Sequence, residues 1–222
     1  MRRDTTSPVD GPAGTPDNTA TEADRDALWR VLRARRDHRH FRPDPVPPEI
    51  LKRLLGVFDV APSVGLSQPW QVTVVTRPEL KEAVYASFAG VRQEERERFA
   101  GGRRERYDAL KLDGIREAPV GLLVSFLPPQ EATLGTTSMS AALEYSVVSA
   151  ITLLWLAATA EGLGLGWVSL VRPAELRRLL DLPDRAQPLA YLCLGYPALE
   201  LWEPLLQTVG WDTRKPLEIE WK

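Results

Sequence analysis

The chain has little of the chemistry that most often declares a site: one cysteine, two histidines and two methionines in 222 residues. A lone Cys193 excludes an internal disulfide framework and a multi-cysteine metal site. It stands in the apolar run Leu189 to Leu194, which fits a small buried hydrophobe better than a nucleophile. His38 and His40 are crowded by Arg35, Arg36 and Arg39, whose charge opposes a bound cation, so no metal set is expected. No serine is paired with either histidine in a way that suggests a Ser-His-Asp triad. Charge of one sign is also lacking: a formal net charge of -2 provides no global field to attract nucleic acid.

A membrane-length apolar run is missing too. The uncharged stretch Tyr145–Ala160 is 16 residues long and contains Ser146, Ser149, Thr152 and Thr159, short of a crossing. It reads as a helix buried on all sides, or one at a subunit interface. Arg2 and Arg3 are followed by Thr, Ser, Pro, Gly, Asp and Asn and not by the apolar stretch of an export signal. Residues 1–20 are therefore expected to be a disordered tail on a cytoplasmic protein.

The remainder is rich enough in apolar residues, 44% of the chain, for one full core over residues 21–222. Thr21 predicts the N-cap of a helix running to Arg36. A proline-rich crossing, Pro43 to Pro48, leads to a helix with Ile50, Leu51, Leu54, Leu55 and Phe58 at helical spacing. Residues 61–70 form a loop, 70–76 a strand rich in Val and Thr, and 79–88 a helix. The charged stretch Arg92–Arg106 is a mobile excursion over a site, a solvent-facing helical hairpin or a solvated surface. Pro119–Leu127 is apolar almost throughout and predicts a central strand. A helix over 141–162, a strand over 165–171, a helix over 173–180 and a strand over 188–194 complete an α+β order.

Two motifs carry the functional reading. In Arg35-Arg36-Asp37-His38-Arg39, three guanidiniums flank one carboxylate. Such a cluster is either fully solvated or built to hold an anion such as a phosphate, and Asp37 within it should stay ionised. Gly162-Leu163-Gly164-Leu165-Gly166 superficially matches part of a dinucleotide fingerprint. Its context is reversed, helix before and strand after, so the glycines instead end a helix and let a strand pass close to something flat.

Together with Ala61-Pro62-Ser63-Val64-Gly65, Gln68-Pro69-Trp70, Lys111 to Arg116 and Gly164 to Ser169, the arginine cluster resembles the nitroreductase-fold flavoproteins. It resembles most their 5,6-dimethylbenzimidazole synthase group, where an aspartate stands at the position of Asp37 and ordinary nitroreductases usually have serine. The resemblance runs from about Ala27 to Leu217. It implies a central, mostly antiparallel sheet flanked by helices, an intertwined homodimer, and a lid insertion around residues 90–116. It also implies oxygen-dependent fragmentation of reduced FMN to 5,6-dimethylbenzimidazole and erythrose 4-phosphate, with O2 as co-substrate. A separate NAD(P)H-dependent flavin reductase would supply the FMNH2.

The site residues are carried by the same resemblance. Asp37 and Ser169 take catalytic roles, at the ribityl chain and near the flavin ring. Arg35, Arg36 and Arg39 share the phosphate and the electron-rich pyrimidine edge, and Arg214 is a further phosphate contact. Pro62, Ser63, Gly65, Leu165 and Gly166 pack on the flavin. The chain departs from the group at Thr136 to Leu143, where the synthases usually carry Arg, His, Asn and an acid. An NAD(P)H-dependent FMN nitroreductase or dehydrogenase, and a non-catalytic flavin-binding protein, remain as alternatives.

Overall fold

A computed structural model describes residues 19–222; all but the last two residues of the expected tail lie outside the described residues. The elements are α1 (Glu22–Ala34), α2 (Pro48–Leu55), α3 (Val57–Val60), β1 (Trp70–Val75), α4 (Pro78–Arg96) and α5 (Gly101–Ala109). They continue with β2 (Val120–Phe126), α6 (Ala142–Ala160), β3 (Gly164–Val168), α7 (Pro173–Leu179), β4 (Gln187–Gly195) and α8 (Leu205–Thr208). Thr21 caps α1 in a capping box: its side chain accepts from Asp24 N, and the Asp24 carboxylate accepts from Thr21 N at 2.9 Å. The helix ends at Ala34, two residues before the predicted end, which releases Arg35 and Arg36 into extended backbone.

The four strands form one antiparallel sheet in the order β1-β2-β4-β3, as the α+β reading expects. Side-chain alternation divides the core in two. Val120, Leu122, Val124 and Phe126 of β2 join Ala190, Leu192 and Leu194 of β4 on the face covered by α2, α3 and α6. Leu123, Tyr191 and Cys193 face the other way, toward Val84 and Phe88 of α4 and Leu176 of α7. Pro188 sits where the β2–β4 register shifts, at the pairing of Ser125 with Pro188. A proline cannot donate to a regular ladder, so it is confined to such an irregularity.

By length and composition α6 could cross a membrane, yet Val147, Ala150, Ile151, Leu154 and Ala158 are buried in the core. It is not buried on all sides within one chain, contrary to the first sequence reading: Tyr145 is 59% exposed and Val148 41%. The charged stretch resolves as a helical hairpin of α4 and α5, in which Tyr107 is buried. Burial holds Cys193 as a hydrophobe and pushes its thiol pKa up.

The outer edge of β3 is covered by residues 37–38, with Asp37 bridged in parallel to Leu165 and His38 N donating to Leu165 O at 3.1 Å. That approach needs glycine. A Cβ on Gly166 would lie 2.0 Å from the His38 carbonyl oxygen, and one on Gly164 2.9 Å from His38 Cγ. The flat object that the glycines accommodate is this neighbouring chain segment. Gly166→Ala should push the segment off the edge and lower stability by about 1–3 kcal/mol, the usual cost of overpacking. Urea denaturation checks this; an unchanged midpoint would mean that the segment docks without that close approach.

Candidate active site

The strand-like docking of residues 35–39 sorts their side chains. Arg35, Asp37 and Arg39 line a cleft against Lys111, Leu112 and the α8 region, while His38 lines a separate cavity on the far side. Asp37 is fixed from two sides: its Oδ1 accepts from Trp167 N at 3.1 Å and its Oδ2 from Arg39 Nη2 at 2.5 Å. Arg39 Nη2 also donates to Trp167 O at 2.7 Å, tying the guanidinium to β3. Arg35 stacks on the Trp155 indole, 5.0 Å from the ring centroid. Arg36 curls back, donating to the carbonyls of Arg33, Arg35 and Trp202.

The cleft has two connected parts. A cavity of about 190 Å³ holds Arg35, Arg36, Asp37, Arg39, Lys111 and Arg214. A second, of about 270 Å³, shares Arg39, Leu112 and Leu206 with it and extends to Trp167 and Ser169. Its remaining wall is the α4–α5 hairpin with Trp211, where Phe99 meets Trp211 edge-on at 5.2 Å and Tyr107 at 5.0 Å. Tyr107 donates its hydroxyl to Glu95 Oε2 at 2.9 Å on the same wall. One end of the cleft is therefore cationic, Arg39 stands at the join with Asp37 bonded to it, and the other end is aromatic and lined by Ser169.

The residues suit a phosphorylated, flat, polar molecule such as FMN. Arg36 Nε and Arg39 Nη1 are buried donors with no hydrogen-bond acceptor among the described residues, and buried guanidinium nitrogens call for an anionic or carbonyl acceptor. Lys111, although paired with Glu117 at 2.6 Å, adds a further ammonium at the same end.

The electrostatics correct one expectation. From its neighbours alone Asp37 is expected to have its acid form disfavoured, but its pKa is raised. Burial is the largest influence and outweighs the opposing Arg39 and Arg35 charges and the Trp167 amide. Although 43% of its side-chain surface is open, that surface faces the cleft, where protein atoms displace much of the bulk water. The same crowding lowers Arg36, through burial first and then Arg214 and Arg35.

The sequence-predicted residues divide into three groups. Arg35, Arg36, Asp37, Arg39, Ser169 and Arg214 converge on the cleft. Leu165 and Gly166 lie beneath it: the Leu165 side chain is in the core and Gly166 is covered by His38. Pro62, Ser63 and Gly65 belong to a different surface. Val64 N donates to Ser146 Oγ of α6 at 3.1 Å, and Gly65 rests against Thr133 and Leu134. Thr136–Leu143, the stretch expected to depart from the synthases, runs into α6.

Sequence reading missed Glu95, Leu206 and Trp211 as cleft residues. The isolated aromatics of the polar C-terminal stretch, Trp202 and Trp211, were the available signal, but no periodicity marks the four-residue α8.

His38 yields a pH prediction. Burial, then Arg36, Arg35 and Arg39, pushes its pKa from 6.5 down to about 4. The unfolded chain therefore binds a proton that the folded chain refuses, and stability falls as pH drops from about 6.5 to about 4, with no further loss below. Discounted for partial exposure, the loss is on the order of 1–2 kcal/mol. Chemical denaturation at pH 7 and pH 4.5 should show a smaller drop for His38→Gln than for the unaltered chain. Equal drops would remove His38 as the source.

Sequence comparison agrees with this geometry. The model described as "Nitroreductase family" matches residues 32–196. The 5,6-dimethylbenzimidazole synthase of Rhodobacter capsulatus is 45% identical over 198 residues, covering 88% of this chain and 96% of the relative. That of Rhodospirillum rubrum is 42% identical over 197 residues, covering 86% and 92%. Among solved structures, oxidized iodotyrosine deiodinase bound to FMN and 3-iodo-L-tyrosine aligns with a TM-score of 0.71 at 23% identity, covering 88% of this chain and 98% of that one. This last likeness is one of fold. From its sequence, its antiparallel sheet and its relatives, the chain belongs to the nitroreductase family, grouped with the 5,6-dimethylbenzimidazole synthases.

Proposed function

We propose that the protein is a 5,6-dimethylbenzimidazole synthase that takes reduced FMN as substrate and, with O2, cleaves it to 5,6-dimethylbenzimidazole and erythrose 4-phosphate. The observation that carries this reading is Asp37 in the cationic part of the cleft, bonded to Arg39 and to Trp167 N, residues that line the aromatic part. Arg35, Arg36 and Arg214 would hold the phosphate by charge-assisted hydrogen bonds. Arg39, which lines both parts of the cleft, would serve the electron-rich edge of the ring system. Reduced FMN supplies the electrons for oxygen and the carbon skeleton of both products, and the pyrimidine portion of its ring system leaves as a third fragment.

Asp37 would orient a ribityl hydroxyl and accept its proton. A carboxylate whose pKa is raised is a stronger base than one at its ordinary value. The Ser169 hydroxyl would donate to, or relay a proton at, the ring. The Phe99, Tyr107 and Trp211 wall would exclude water from that end, as a lid over the reacting group must. Electrons would arrive on FMNH2 made by a separate NAD(P)H-dependent flavin reductase, in the cytoplasm.

The working unit would be a homodimer. The outer face of α6 presents Tyr145, Val148 and Leu153. Ser149 and Thr152 between them turn their hydroxyls back onto the Tyr145 and Val148 carbonyls at 2.9 and 3.0 Å, leaving an effectively apolar surface. Leu66 and Leu134, 82% and 84% exposed, extend it to the Ser63 loop. A second copy seated there would bury this surface and could bring Pro62, Ser63 and Gly65 to its partner's cleft.

Aerobic incubation with FMN and a chemical reductant, followed by chromatography, should yield a benzimidazole. Intact flavin with no such product would reject the reading, and rapid turnover of NAD(P)H with nitroarenes would favour a nitroreductase. Asp37→Asn and Ser169→Gly should keep flavin binding within a few-fold and lose at least about a hundredfold in product formation, the order of a lost acid–base group. Leu153→Asp should shift the particle from dimer to monomer in sedimentation and weaken flavin binding. A dimer that survives unchanged would place the interface elsewhere.

A further inference from the structure

Beside the phosphate end lies a third cavity of about 450 Å³ that the proposed reaction does not use. It shares Arg36, Pro204 and Arg214 with the cationic part, so the three cavities follow one another from the Ser169 end, through the arginines, to this outer space. Its distinctive features are two indoles from distant parts of the chain, Trp29 on α1 and Trp202 before α8, 56% and 83% exposed. Arg33 lies over the Trp29 ring, 5.5 Å from its centroid. Gln207 presents an amide that reaches Glu203 at 3.3 Å, so a group with both donors and acceptors faces the same space.

Two exposed indoles lining a space that also holds Arg33, Arg36 and Arg214 suit a planar aromatic base attached to a phosphate. The size falls in the range of small-ligand pockets. A ligand that continued past the flavin phosphate would enter here. We propose that this outer cavity is a subsite for the adenylate half of a flavin adenine dinucleotide, so that the protein binds FAD as well as FMN. The base would lie against Trp202 and Trp29, with the second phosphate between Arg33 and Arg214. The inference rests on the flavin reading of the cleft and extends it to a second nucleotide form of the same substrate.

Equilibrium titration of the purified full chain with oxidised FMN and FAD, followed by flavin fluorescence, tests it. The expected result is an FAD affinity within about tenfold of that for FMN, with Trp202→Ala weakening FAD by about tenfold, the order of one lost base stack. Trp29→Ala should act in the same direction, and both variants should hold FMN within about twofold of the unaltered chain, since neither indole lines the inner cleft. FAD that binds more than a hundredfold weaker than FMN, or that ignores both substitutions, would overturn the subsite and leave the FMN reading standing. Failure of both flavins to bind would instead remove the flavin reading and the subsite with it.

Discussion

The contact on which the candidate site depends is the docking of residues 37–38 along the free edge of β3. Two interactions hold it: the His38 N–H donates to the Leu165 carbonyl, and the Asp37 carboxylate receives the Trp167 N–H. Both require the backbone at Gly164 and Gly166 to be bare, because a side chain at either would occupy the space of His38. The docking also caps a sheet edge that would otherwise offer unpaired backbone groups. Once the segment lies extended, alternation sends Arg35, Asp37 and Arg39 toward one cleft and His38 away from it.

This arrangement concentrates positive charge where solvent is scarce, and its electrostatic signature follows. His38 is kept neutral, Arg36 is lowered, and Asp37 is raised despite the guanidinium bonded to it. The folded chain tolerates these costs because the segment is bonded at several points: Asp37 and Arg39 each make two bonds, and Trp155 Nε1 donates to the Arg36 carbonyl at 3.1 Å. A site built this way is organised before its ligand arrives, with donors already aimed and little side-chain freedom left to lose on binding.

Much of the fold was legible because its elements are strongly periodic. The helix over 142–160 and the strands over 120–126 and 187–195 declared themselves through apolar runs of the right length. The arginine cluster was legible as a concentration of cations around one acid, and the fold gathers it with Arg214 in one cavity. Less legible were contributions from afar. Leu206 and Trp211 reach the cleft from a C-terminal stretch without a strong pattern, and Glu95 reaches it because the charged stretch folds back as a hairpin. The Ser63 loop packs against α6 and residues 133–134, away from the cleft of its own chain.

Local chemistry determined the capped first helix, the central strands, the glycine-lined edge strand and the presence of an arginine-ringed acid, since each follows from neighbouring residues acting through propensity, pattern or charge. The direction in which Asp37 titrates did not follow from its neighbours. That depends on how much solvent surrounding elements remove, a quantity set by packing across more than a hundred residues of chain, as the bond to Trp167 with its separation of 130 residues makes plain. The same holds for which face of α6 is left uncovered and which of the quoted motifs meet in one cleft. Side-chain identity specifies what a group can do, and only the three-dimensional arrangement decides what dielectric and which partners it does it with.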